Sequence, residues 1–149
     1  MLYIPKHFEV QELVCPHVFK KWGHNPNFIW NFFDPRLLKT LDYLRARLNK
    51  PITVNNWNIG GNFSQRGIRC NLCDLVRSKT NVSQIYLSSH ILGQACDFDV
   101  KGMTSREVRA WIISHATELP YPLSLEDGVN WVHIDMREQN NQKVYLFKV

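Results

Sequence analysis

The chain has 149 residues, 44% of them apolar and 21% charged, with 18 basic against 13 acidic side chains for a net charge of +5. These values fit a single folded domain spanning residues 1–149 and exclude a disordered chain or a small scaffold that depends on disulfides. No apolar run approaches the roughly 20 residues of a membrane-spanning helix. Residues 1–7 lack the basic start and long apolar core of a secretory leader. We therefore expect no membrane insertion and no targeting signal of the chain's own. The basic excess suits an anionic partner, but no zinc-finger or RNA-binding signature is present, so nucleic acid is not the expected partner.

Residues 8–14 predict a short helix stopped at Pro16. Residues 19–33 carry Phe19, Trp22, Phe28, Trp30, Phe32 and Phe33 and are broken by Gly23 and Pro26. That pattern predicts packed turns in which aromatics supply the buried area. Asp34-Pro35 then opens a longer helix, with Asp as the cap and Pro in the first turn. Leu37, Leu38, Leu41, Leu44 and Leu48 give it one apolar stripe, and Asn49 and Pro51 end it. Residues 52–54 predict a strand. Residues 55–83 form a long irregular stretch with Gly60, Gly61 and Gly67, and a loop of that length is usually functional or pinned.

Residues 95–100 have the composition of a strand. Thr104 and Glu107 have capping-box spacing and open a helix through Val108, Trp111, Ile112 and Ala116, ended by Pro120. Residues 129–136 alternate as a strand does. Residues 144–149 predict a final strand, with the intervening turn at Asn140-Asn141. Helices early and strands late predict an α+β fold, a small antiparallel sheet flanked by helices.

Two segments carry the chemistry. In the first, Ser88 to Asp99, a period of two puts Asp97 and Asp99 on one strand face and Cys96, Phe98 and Val100 on the other. In the second, Asn130 to Asp135, the same period groups Trp131, His133 and Asp135, while Val132, Ile134 and Met136 face the core. A carboxylate in a buried sheet is costly unless paired or bound to metal. His90, His133 and Asp97 make a three-ligand set, the number a catalytic zinc takes while keeping a fourth position for water.

The spacing Ser88-x-His90-x-x-Gly93-x-Ala95-x-Asp97, followed by Trp131-Val132-His133, resembles the signature of the D-alanyl-D-alanine metallopeptidases. These are zinc peptidases of bacterial peptidoglycan with relatives among phage endolysins, including L-alanyl-D-glutamate peptidases. The segments from His7 to Pro16 and from Lys50 to Val54 resemble the family more loosely. The resemblance implies one catalytic Zn2+ on the sheet face, held by His90, Asp97 and His133. It implies a carboxylate near the last histidine as general base, and an arginine ahead of the first motif that binds a substrate carboxylate or the oxyanion. Ser88, Trp131 and Arg66 become candidate substrate-binding residues.

The chain departs from the family pattern twice. Some members carry an acid three residues before the last histidine, where this chain has Asn130, and an amide cannot serve as base. Other members place the acid upstream across a glycine turn, which Glu126-Asp127-Gly128 matches. Glu126 is therefore the first choice of base, Asp127 the second and Asp135 the third, the last also suited to orienting His133. Members often carry their arginine in a short Ser-Gly-Tyr-Arg segment, which is missing here. Arg69 is preferred for that role over Arg66.

With no secretory leader expected, four cysteines do not suggest disulfides. Cys70 and Cys73 form one CxxC, and Cys15 with His17 would complete a four-ligand structural zinc set. Nothing in the sequence brings residue 15 to residue 70, so we expect free thiols and no second, structural ion. Cys96 falls on the core face. His7, His24 and His115 read as surface or packed histidines.

The expected activity is hydrolysis of amide bonds in bacterial peptidoglycan by a phage-type cell-wall hydrolase. Such an enzyme stays in the host cytoplasm until it reaches the wall at lysis, or travels in the virion beside other virion proteins. The alternative, motivated by Asn130, is a virion-associated structural or binding module that keeps the zinc fold with weak or no catalysis. A third class is a dipeptidase acting on free D-alanyl-D-alanine.

Overall fold

A computed structural model describes residues 1–137 and 139–149. Its described residues form an α+β fold of six helices and a five-stranded mixed sheet. The first helix, α1 (Val10–Leu13), buries Val10 and Leu13. Pro16 does more than stop it, because it occupies the first turn of α2 (Pro16–Trp22). The aromatic stretch expected as turns is α2 and α3 (Pro26–Trp30), divided at Gly23 and Pro26. Trp22, Phe28 and Phe32 pack ring against ring at centroid distances of 5.1–5.7 Å. That packing compensates for helices too short to stand alone.

The longest helix, α4 (Pro35–Leu48), starts and stops where its sequence says. The Asp34 carboxylate accepts from the Arg36 amide at 2.9 Å, and Asn49 ends the helix in the left-handed region at φ 49°. Leu37, Leu38, Leu41 and Leu44 line its buried side. A two-residue strand, β1 (Ile52–Thr53), follows. The long stretch after it holds one 3-10 turn and the single-turn helix α5 (Asp74–Arg77).

Next come β2 (Ala95–Val100), α6 (Ser105–Ser114), β3 (Leu123–Glu126), β4 (Val132–Asp135) and β5 (Val144–Phe147), in the spatial order β1-β2-β4-β3-β5. The capping box forms at the start of α6, with the Thr104 hydroxyl and Glu107 carboxylate exchanging backbone bonds. Three neighbouring pairs are antiparallel, but β3 and β5 are parallel, which corrects the expectation of a purely antiparallel sheet. The sequence reading missed β3 by treating Glu126 as part of a turn. Because β3 takes the free edge of β4, the last strand must pair beyond it. A chain that reverses after β4 then runs parallel to β3. The reversal uses Asn140 and Asn141 in the left-handed region, as their residue type predicts.

The two sheet faces differ in character. Cys96, Phe98, Leu123, Leu125, Val132 and Ile134 are fully buried and join the α4 leucines with Val108 and Ile112 of α6 in one core. The opposite face carries Asp97, His133, Asp135, Ser124, Glu126 and Phe147, set side by side by the registers Asp97↔His133, Ser124↔Asp135 and Glu126↔Phe147. Among the described residues no helix is long and apolar enough to cross a membrane.

Two substitutions test this account by chemical denaturation. Asp34→Ala should cost about 1 kcal/mol at neutral pH through loss of the cap. The folded chain holds the Asp34 carboxyl below its usual range: burial pushes it up, but hydrogen bonds from Arg36 pull it further down. A depressed carboxyl stabilises above its unfolded pKa and stops doing so as pH falls through the folded value, so the gap to the unaltered protein should narrow in acid. Gly93→Ala should be more severe, because φ is +68° and a Cβ would fall on the Phe32 carbonyl.

Candidate metal centre

The site is built on the central strand pair. Asp97 in β2 lies directly across from His133 in β4, and its Oδ1 is 2.7 Å from His133 Nδ1. His90 arrives from the turn that precedes β2, with Nε2 3.3 Å from Asp97 Oδ2. One donor atom from each of the three lies within 4.8 Å of the others, and all three residues are buried. Gly93 makes that turn possible through its positive φ and its close approach to residues 32 and 33. The Gly93 carbonyl accepts from the Asp34 amide at 2.9 Å, which ties the turn to the start of α4.

Each imidazole is oriented by its other nitrogen. His90 Nδ1 lies 3.0 Å from the Gly67 carbonyl, so it donates there and turns its Nε2 lone pair toward Asp97. His133 Nε2 lies 3.1 Å from Asp135 Oδ2, which leaves Nδ1 facing Asp97. Asp135 is itself held by the Arg137 amide at 3.0 Å. The ring of Phe147 stands edge-on to His133 at 5.9 Å between centroids. Two imidazole nitrogens and one carboxylate oxygen therefore lie close enough to share an ion, a donor set that fits Zn2+ once His133 gives up its Nδ1 proton.

The electrostatics of the metal-free cluster match this geometry. Burial pushes the Asp97 carboxyl up, but hydrogen bonds and charge from His133 and His90 override it and hold the group well below the usual carboxylate range. Burial pushes His90 down. His133 is raised to about 9, since Asp135 and Asp97 outweigh its own burial. Asp135 is lowered, with the His133 bond overcoming desolvation. Such displaced titrations gather where an ion or a reaction is served.

The triad forms the floor of a cleft walled by Arg69, Ser88, Glu126, Trp131, Arg137 and Phe147. Arg69 extends from the long loop, places Nη2 3.0 Å from Asp97 Oδ2 and keeps only 12% of its side chain exposed. Arg66, the other arginine candidate, pairs with Asp99 at 2.7 Å and covers the Phe63 ring at 3.7 Å, to one side of the triad. Glu126 ends β3 and lines the cleft. Asp127 instead faces Arg109 at 3.7 Å and Lys148 at 3.8 Å and is not part of the lining. Asp135 is committed to His133, and Asn130 is exposed in the turn before β4. Of the three base candidates, only Glu126 faces open cleft.

Some contributors were not anticipated. Arg109 is buried in α6 and donates to the Val129 and Trp131 carbonyls at 3.1 and 3.0 Å, fixing the turn between β3 and β4. Its sequence signal was weak, one arginine on an otherwise apolar helix face. The Gly67 carbonyl has no signal in side-chain chemistry at all. Cys15, His17, Cys70 and Cys73 are also brought together, with their donor atoms within 4.8 Å of one another, so this second cluster could hold a metal ion too. The fold thus brings residue 15 to residue 70, which nothing in the sequence did, while all four cysteines remain free thiols as expected. Cys96 is buried on the core side of β2, as expected.

No protein-family model, curated protein or solved structure matches the chain. Metal analysis provides a direct test of the triad. His90→Ala and His133→Ala should each lower bound zinc by one ion per chain relative to the unaltered protein. Asp135→Asn should weaken that ion about 10–100-fold by releasing the His133 ring. Equal zinc content and affinity in all four proteins would show that the triad binds no metal.

Proposed function

We propose that the chain is a zinc-dependent peptidase that hydrolyses amide bonds in the peptides of bacterial peptidoglycan. The observation that supports this most is the convergence of His90, Asp97 and His133 in a cleft that also presents Glu126 and Arg69. A zinc ion held by the three residues would polarise a substrate carbonyl and acidify a water molecule. The chain's own groups supply the rest. Glu126 accepts a proton from the attacking water and returns it to the leaving amine. Its position at a strand end gives it a fixed backbone from which to reach the reacting centre.

Arg69 presents a guanidinium, suited to bidentate pairing, to a substrate carboxylate or to the oxyanion that develops during attack. Burial costs this group charge stabilisation, and Asp97 offsets part of that cost. Lys79 and Arg137 also line the cleft, so its walls favour the carboxylates that stem peptides carry. Trp131, 38% exposed, offers an apolar wall, and Ser88 lies at the rim with a hydroxyl. Neither imidazole needs to reorganise, since the Gly67 carbonyl and Asp135 already hold both rings.

Asn130 motivates a second reading, a virion-associated module that keeps the ion but does not hydrolyse. Digestion of purified peptidoglycan separates the two. The active protein should release peptide fragments of new mass, chelation should stop it, and Glu126→Gln should slow it by about 10²–10⁴-fold while zinc content is unchanged. Bound zinc with no fragments would favour the module. Cleavage of free D-alanyl-D-alanine with intact sacculi untouched would assign the chain to the dipeptidase class instead.

A further inference from the structure

We propose that Cys15, His17, Cys70 and Cys73 hold a structural zinc ion that ties the first helices to the loop carrying Arg69 and the Gly67 carbonyl. This inference does not rest on the hydrolytic reading. Cys70 Sγ lies 3.5 Å from His17 Nδ1 and 4.0 Å from Cys73 Sγ, and Cys73 Sγ lies 3.9 Å from His17 Nδ1. All four donor atoms fall within 4.8 Å of one another. A tetrahedral zinc with bonds of about 2.3 Å to sulfur and about 2.0 Å to nitrogen needs separations of about 3.8 Å between sulfurs and about 3.5 Å between sulfur and nitrogen. The cluster meets that requirement with little adjustment.

Other readings fit less well. The Cys70 and Cys73 sulfurs, 4.0 Å apart, are not joined, and all four cysteines are free. A dithiol redox pair would have no use for a third thiol and an imidazole aimed at the same point. The Leu72 amide donates to Cys70 Sγ at 3.4 Å, a contact that favours the thiolate over the thiol. Three sulfurs and one nitrogen with no open position form a closed donor set, which suits a structural ion rather than a catalytic one.

The location shows what the ion would accomplish. Val14 pairs with Ile68 in an isolated parallel bridge, and the Ile68 amide donates to the Leu13 carbonyl at 2.9 Å. Gly67 allows this approach, because a Cβ there would meet the Leu13 carbonyl. The next residues in the loop are Arg69, which reaches Asp97, and Cys70, which reaches the cluster. The Gly67 carbonyl orients His90. A stretch with one 3-10 turn and one helical turn thus gains a rigid anchor one residue from Arg69 and three from Gly67.

Cobalt substitution under reducing conditions tests the proposal on the full chain. The triad contains no thiolate, so a thiolate-to-cobalt charge-transfer band with strong tetrahedral bands in the visible reports this cluster alone. The unaltered protein and Cys96→Ser should show the band, and Cys70→Ser should lose it. The His90→Ala, His133→Ala double variant should keep both the band and one zinc ion per chain. Chelating that ion should speed amide exchange at residues 67–69 at least about tenfold. If Cys70→Ser fails to fold, the band in the unaltered protein and its persistence in Cys96→Ser still decide the matter. Cobalt-loaded protein without a thiolate band, or a double variant without bound zinc, would overturn the proposal.

Discussion

The antiparallel register of β2 against β4 is the constraint on which the site depends. It sets Asp97 opposite His133 on one face and leaves Cys96, Phe98, Val132 and Ile134 on the other. A slip of one residue would send the carboxylate into the core and the apolar side chains into the cleft. The apolar face therefore does more than stabilise the sheet. By refusing any other register, it places a carboxylate and an imidazole side by side in a site that excludes most solvent. Burying that pair is costly unless the charges are matched, and His90, His133 and Arg69 surround the Asp97 carboxylate.

The third member of the triad, His90, comes from outside the sheet, and its placement depends on backbone rather than side-chain chemistry. His90 sits in a turn closed by Gly93, whose positive φ and close approach to the residue 32 carbonyl admit no side chain. Its ring is aimed by the carbonyl of Gly67, and Gly67 is held against Leu13 by the same lack of a Cβ. Two glycines thus transmit the position of the early helices to His90. The cysteine and histidine cluster sits on the same junction. An ion there would stiffen the one part of the site that the sheet does not reach.

The cleft combines this fixed floor with side chains that differ in freedom. Arg69 is largely enclosed and already paired with Asp97. Glu126, Trp131 and Ser88 look into open space. Asp127 and Asp135, which share a residue type with Asp97, are engaged elsewhere, one with Arg109 and Lys148 and the other with His133. The distinction among these four acids is one of surroundings: Asp97 is tied to His90, His133 and Arg69, Asp127 and Asp135 have partners of their own, and Glu126 lines the cleft beside them.

The sequence alone determined the local elements and the alternation of faces. Asp34-Pro35 and the leucine stripe defined α4, Thr104 and Glu107 defined the start of α6, and the period of two placed Asp97, His133 and Asp135 on their shared side. These features are legible because caps and periodicities act over a few residues. The tertiary structure alone decided the parallel pairing of β5, the pairing of Asp127 with Arg109 and Lys148 outside the cleft, and the meeting of Cys15 and His17 with Cys70 and Cys73. Each of these depends on contacts between segments distant along the chain, or on which sheet edge remained free, and no spacing within a single segment encodes them. The four-residue β3 fell between the two regimes, too short for its alternation to stand out and visible only once β4 offered it an edge.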